Sequence, residues 1–297
     1  MRPSDALYYS DSAKITQKDI ENALVDVGIT KGDTIMIHSD AGSFGKLGIF
    51  DRDIILQALC DSMKNVVGNE GTIIMPAFTY SFCNNESYDI NNSKSTVGVL
   101  TEYFRKQSDV SRTNHPTHSV AVWGKHKKEL LNIGKGTFDK SSIFGKFHEM
   151  NGKFVSFGVS LNKSCTFVHY IECMHGVPYR YMKKFHGKII SGKREYEDEI
   201  SFCYKYSFIF NSMLEFEKHL REEGLLREVK VGNGAISAID ADNLFNEGSR
   251  LLDKDIHFFL KTDTLFFKVL HNIVCFFLKY VQWPFRILDK VASKFLS

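Results

Sequence analysis

The stretch Gly32-Asp-Thr-Ile-Met-Ile-His-Ser39, read together with Gly71-Thr-Ile-Ile-Met-Pro-Ala-Phe-Thr79, decides the fold. Each holds a short apolar run, Asp33 to Ile37 and Gly71 to Met75, bounded by glycine and proline. Such runs suit strands buried on both faces. Between them, Asp53 to Val67 sets Ile54, Ile55, Ala58, Leu59 and Met63 at helical spacing. Strand, helix, strand is a βαβ unit, which implies parallel pairing under helical cover. Outward from that unit, Thr16 reads as the N-cap of a helix carrying Ile20, Leu24, Val25 and Val27. A further helix is expected over Val97–Arg105, and further strands over Ser119–Trp123 and Phe154–Gly158. The expected fold is α/β: a mixed, largely parallel central sheet flanked by helices.

A chain of 297 residues can bury a full core, and its 43% hydrophobic and 25% charged content is ordinary for a globular protein. A net charge of +3 does not point to nucleic acid. The six cysteines (Cys60, Cys83, Cys165, Cys173, Cys203, Cys275) show no paired metal spacing and follow a polar N-terminus, so reduced thiols, no metal and a cytoplasmic location are expected. No Gly-x-Gly-x-x-Gly, Walker loop or zinc cluster is present.

Two polar segments stand against apolar runs. Ser111-Arg-Thr-Asn-His-Pro-Thr-His-Ser-Val-Ala-Val-Trp-Gly124 brings Arg112, His115, His118 and Ser119 together around Pro116. Thr166-Phe-Val-His-Tyr-Ile-Glu172 puts His169 and Glu172 three residues apart, on one face of a helix. Histidine is the side chain best suited to moving a proton near neutral pH.

These segments, together with the two strands, Thr96-Val-Gly-Val-Leu-Thr-Glu-Tyr-Phe-Arg105 and Val231-Gly-Asn-Gly234, resemble the aminoglycoside 3-N-acetyltransferase family over roughly residues 15 to 260. One departure is plain: the family reads His-Ser-Ser where this chain has His38-Ser39-Asp40, which leaves the hydrogen bonding of that turn open. The resemblance implies the antibiotic N-acetyltransferase fold and acetyl-CoA as co-substrate. It makes His169 the catalytic base, with Thr166 and Glu172 in the same motif. It also places His38, Ser39, Arg112, His118 and Ser119 about the coenzyme. Chemically, a neutral imidazole can deprotonate the amine. Glu172 can orient that ring or hold the substrate ammonium, and Arg112 can meet a phosphate through its fork of donors. Asp40, Tyr80 and Tyr179 join Glu172 as candidate substrate contacts, although Asp40 serves equally as a turn former. His115 is the histidine of that loop expected to be structural. Cys165 and Cys173 flank the motif without an activating basic neighbour.

Residues 176 to 205 are aromatic and basic and suggest an antiparallel excursion near the substrate mouth. Seven cations (Arg180, Lys183, Lys184, Lys188, Lys193, Arg194, Lys205) face four carboxylates there, and the whole chain has a pI of about 8.4. Aminoglycosides are polycations and call for an acidic site. The charge therefore favours a nucleotide-linked amino sugar or glycan precursor in surface-polysaccharide assembly. An aminoglycoside acceptor is the alternative, and a catalytically silent docking partner a second one. The expected division is an acetyltransferase domain over 1–260 and a tail over 261–297. Lys268, Lys279 and Arg286 draw a basic stripe on an apolar, aromatic helix there. That pattern fits a membrane interface beside a glycosyltransferase, at the inner face of the membrane, or an oligomer contact.

Overall fold

The computed structural model describes residues 5–261 apart from 12, 207 and 208. The expected tail helix with its membrane, glycosyltransferase or oligomer contact therefore lies outside the described residues. A seven-stranded sheet forms the centre, in the spatial order Arg227–Val231, Gly234–Asp240, Lys153–Phe157, Thr34–Ser39, Thr72–Pro76, Val120–Gly124, Ser111–Arg112. Parallel pairing is confined to the middle. Thr34–Ser39 runs parallel to Thr72–Pro76 on one side and to Lys153–Phe157 on the other, and the remaining pairs are antiparallel. The sheet is thus mixed, with parallel strands where both faces are helix-covered and hairpin-type connections toward the edges.

The βαβ unit forms from Thr34–Ser39, the helix Arg52–Val67 and Thr72–Pro76, in register Thr34↔Thr72 to Met36↔Ile74. Thr16 caps the helix Gln17–Asp26 through a capping box: its hydroxyl accepts from the Asp19 amide while the Asp19 carboxylate accepts from its own N–H.

Strand periodicity then decides which side chains meet. Ile35 and Ile37 pack toward the helices Gln17–Asp26 and Arg52–Val67, in one core cluster with Ile20, Leu24 and Leu59. Met36 points the other way, into a second core with Phe154, Phe167 and Ile171. His38, two residues on, shares the face of Met36. It is thereby delivered to the layer built by the helices Phe167–His175, Ile143–Glu149 and Ala241–Lys254.

Beyond the sheet, Arg180–Ser191 and Arg194–Lys205 pair antiparallel over their full length, turning at Gly192-Lys193 with Gly192 at φ +61°. A two-residue turn of that kind needs a left-handed first position, which glycine accepts without strain. Among the described residues no helix is long and apolar enough to cross a membrane.

Candidate active site

Helix Phe167–His175 carries the centre of the site. Glu172 has no exposed surface, and its two oxygens are saturated from inside the protein. Oε1 accepts from the Tyr179 hydroxyl at 3.0 Å and from Asn211 Nδ2 at 2.8 Å. Oε2 accepts from Arg180 Nε at 2.8 Å and Nη2 at 2.6 Å, and lies 2.9 Å from His169 Nδ1. Burial alone would raise this carboxyl, but Arg180 and His169 outweigh it and hold the pKa at about 2.

Arg180 Nη2 also stands 2.7 Å from His169 Nδ1, and one nitrogen cannot both donate and accept there. The carboxylate is the stronger acceptor for both cation and imidazole, so the proton is assigned to Nδ1, donated to Glu172. Nε2 is then the basic nitrogen. Among the described residues it makes no hydrogen bond, and a quarter of the side chain is exposed. Burial, then the Arg180 charge, lowers the His169 pKa against the opposing pull of Glu172, which keeps the ring neutral at physiological pH.

The remaining candidates gather around this couple. His38 Nε2 meets the Thr166 hydroxyl at 3.2 Å, its ring stacks on Phe154 at 4.9 Å, and burial takes its pKa down to about 3. Thr166 thus ties the end of the Thr34–Ser39 strand to the start of the His169 helix. His118 is buried among Phe78, Phe138 and Phe202, and Phe138 also packs edge-on to His169 at 5.6 Å. Burial, with His115, His169 and Arg180 nearby, drives His118 well below the ordinary histidine range. Tyr80 packs against His118 at 5.1 Å with φ +54°, a left-handed backbone that few non-glycine residues adopt and that often marks a functional site. Ser39 is half-buried at the strand end. His115 Nδ1 accepts the His118 amide at 3.1 Å, which ties this loop to itself.

Several expectations require correction. Each guanidinium nitrogen of Arg112 donates within the protein, Nε to Ser119 Oγ at 3.1 Å, Nη1 to Ser93 O at 2.5 Å and Nη2 to Ala77 O, so the fork is already filled. Ser119 is wholly buried and donates to Ala77 O at 2.7 Å. These two residues brace the loop. Tyr179 is wholly buried behind Glu172, and Glu172 itself has no free oxygen for an ammonium, so both serve His169. Asp40, left open between turn former and substrate contact, accepts the Gly42 amide through Oδ1 at 3.0 Å and so forms its own turn, its other oxygen staying on an exposed residue. Cys173 does have a basic neighbour, Arg180.

The aminoglycoside 3-N-acetyltransferase family model matches residues 36–253, well over half of the chain. The chain belongs to that family. A Bacillus subtilis (strain 168) relative, the SPbeta prophage-derived aminoglycoside N(3')-acetyltransferase-like protein YokD, is 29% identical over 62% of this chain and 74% of its own. The fold is shared with the aminoglycoside acetyltransferase AAC(3)-IVa apoenzyme (TM-score 0.68, 20% identity, 86% of this chain and 94% of that one). It is shared equally with AAC-IIIb in binary complex with CoASH (TM-score 0.66, 20% identity, 84% and 98%). As a member of the aminoglycoside 3-N-acetyltransferase family, the protein is a CoA-dependent acyltransferase that acetylates amino groups with acetyl-CoA as co-substrate. Among the described residues no group of three or more His, Cys, Asp or Glu side chains is placed to hold a metal ion.

Arg180, Asn211 and Phe138 were not singled out from sequence as site residues. Arg180 carries a weak signal, a basic residue just past the Gly176-Val-Pro turn that ends the helix. Asn211 and Phe138 carry none, since their approach to Glu172 and His169 depends on chain returns of about forty and thirty residues.

Proposed function

We propose that this protein acetylates an amino group of an aminoglycoside-type amino sugar, with His169 as general base. The observation that carries the mechanism is the locked imidazole. Glu172 and Arg180 fix its Nδ1 face, leaving Nε2 unpaired and partly exposed. Nε2 takes the proton of the attacking amine as the carbon–nitrogen bond forms, and Glu172 stabilises the imidazolium that results. The acetyl thioester supplies an activated acyl group whose thiolate leaves readily. Thr166 and His38 hold the helix start against the sheet, so that the base does not drift. The intact couple also argues against a catalytically silent docking protein.

The acceptor class rests on what the relatives are called, aminoglycoside acetyltransferases. The nucleotide-linked acceptor expected from charge, with its role in polysaccharide assembly, finds no support among them. One observation still favours an amino sugar bearing an anion. Lys205 stands opposite Arg180 in the hairpin register, on the same face, with no carboxylate at ion-pair distance among the described residues. Burial, then Arg180, takes its pKa down to about 8. Two of the other hairpin lysines are matched, Lys184 to Glu199 at 2.8 Å and Lys188 to Glu195 at 3.1 Å.

Release of CoA thiol from acetyl-CoA, measured against aminoglycosides and nucleotide-linked amino sugars side by side, decides between the readings. Turnover of aminoglycosides, lost in His169→Ala, supports the proposal. Turnover of the nucleotide sugars alone replaces the acceptor with an anionic one, and Lys205→Met should then raise its KM selectively.

A further inference from the structure

Side chains of a strand alternate between its two faces, and the first strand of the hairpin, Arg180–Ser191, follows that rule in its burial. Met182, Lys184, His186 and Lys188 are exposed, while Tyr181, Lys183, Phe185 and Ile189 turn inward. On that inner face Ile189 and its neighbour Ile200 pack with Phe82. Lys183 breaks the pattern, a cation at an inward position. Its Nζ lies 4.5 Å from the centre of the Tyr204 ring and 4.8 Å from that of Phe185, both at cation–π range. Among the described residues no carboxylate stands at ion-pair distance from it, whereas Lys184, the next residue, meets Glu199 at 2.8 Å.

This face is held at a fixed place relative to the base. Tyr204 packs on Phe202 at 5.4 Å, Phe202 on Phe138 at 5.8 Å, and Phe138 edge-on to His169 at 5.6 Å. Phe202 and Phe138 are buried and form the backing. Tyr204, Phe185 and Lys183 are half-buried and keep open surface.

We propose that Lys183 is a specificity-determining residue, which turns away acceptors whose end remote from the reacting amine carries ammonium groups and admits amino sugars that are uncharged there. The proposal rests on the acetyltransfer reading above and narrows its acceptor to amino sugars with few ammonium groups. Without a lysine between them, the faces of Tyr204 and Phe185 would attract a substrate ammonium. Lys183 takes up that attraction itself and leaves a positive charge in its place. At a half-buried position salt screens such a charge less than at an open surface, and like charges brought together are a common means of excluding a wrong partner. The apolar ring face of an uncharged sugar can still lie on the two aromatic rings.

The test is calorimetric binding of gentamicin, which carries several ammonium groups, and of methyl glucosaminide, which carries a single one. The full-length wild type is compared with Lys183→Met, Lys183→Glu and Lys183→Arg at low and high salt. Lys183→Met should bind gentamicin roughly tenfold more tightly than the wild type, Lys183→Glu more tightly still, and Lys183→Arg like the wild type. The gain should shrink as salt rises. Methyl glucosaminide should stay within roughly twofold throughout or be too weak to measure in all four proteins. Equal gentamicin affinity across the series, including no binding by any member, overturns the proposal. So does a gain that salt leaves unchanged, which would report a widened pocket in place of a charge effect. Thiol release from acetyl-CoA is read on the same samples. If neither sugar is turned over while the order of gentamicin affinities holds, the acetyltransfer reading fails and the charge selection stands.

Discussion

At the scale of single residues, function depends on one nitrogen, His169 Nε2, being left free while Glu172 and Arg180 occupy the other side of its ring. Removing the ring should be specific. His169→Ala is expected to lower kcat by roughly 10²–10⁴-fold with an unchanged circular dichroism spectrum, since general-base catalysis supplies a gain of that order. Retention of near-normal turnover would sink the assignment. Because burial and Arg180 lower the His169 pKa, the base is neutral above its depressed value. The acid limb of kcat, measured with acceptor saturating, should therefore fall below pH 6.5, and Glu172→Gln, which removes the opposing negative charge, should shift it further toward acid. Arg180 has a structural duty as well. Arg180→Ala leaves a buried carboxylate without its cation, a change that costs about 3–5 kcal/mol, and urea denaturation should show a loss of that order. Sequence spacing revealed the His169–Glu172 couple because both lie on one helical turn. It could not reveal that Arg112 is consumed by the carbonyls of Ala77 and Ser93, because those partners arrive from another loop.

Among the elements, the ones legible from pattern were those with strong periodicity. The helix Arg52–Val67 and the strands on either side of it lie within one or two residues of their expected bounds, because a buried helix and buried strands impose apolar spacing on the chain. The cap at Thr16 was readable for a different reason: capping is local, reaching only to Asp19. Thr16→Ala should cost about 0.5–2 kcal/mol of stability and leave kcat unchanged, as the cap lies across the sheet from His169. A kcat change equal to that of a site variant would show coupling through the sheet that this architecture does not provide for. The hairpin was foreseen as an antiparallel excursion. Its role in delivering Arg180 to Glu172 was not, since strand register follows from pairing over its full length and not from the composition of either strand.

The whole molecule carries an acid sensitivity that no single element shows. His38, His115 and His118 are all buried with pKa values depressed, to about 3, about 4 and well below the ordinary value. Below pH 6.5 the unfolded chain binds protons at these positions that the folded chain refuses. The stability they permit is thus present above about pH 6.5 and lost as pH falls toward 4, by about 1.4 kcal/mol per pH unit for each histidine that is charged only when unfolded. Denaturant midpoints at pH 7, 6 and 5 should fall progressively, and a flat profile would mean that these histidines are protonated in the native state. A chain ending at residue 261 should also keep turnover, because every side chain placed around His169 lies between residues 38 and 211; its loss, with folding intact, would assign residues 262–297 a part in the reaction. By itself, the sequence determined what repeats at short range: the βαβ unit, the capped helix, the couple on one helical turn and, through motif order, the family. Only the tertiary structure decided which polar atoms were already spent. It filled Arg112 and Glu172 from within, because hydrogen-bonding capacity is consumed by whichever neighbours the completed fold brings within about 3 Å, and no spacing along the chain records them.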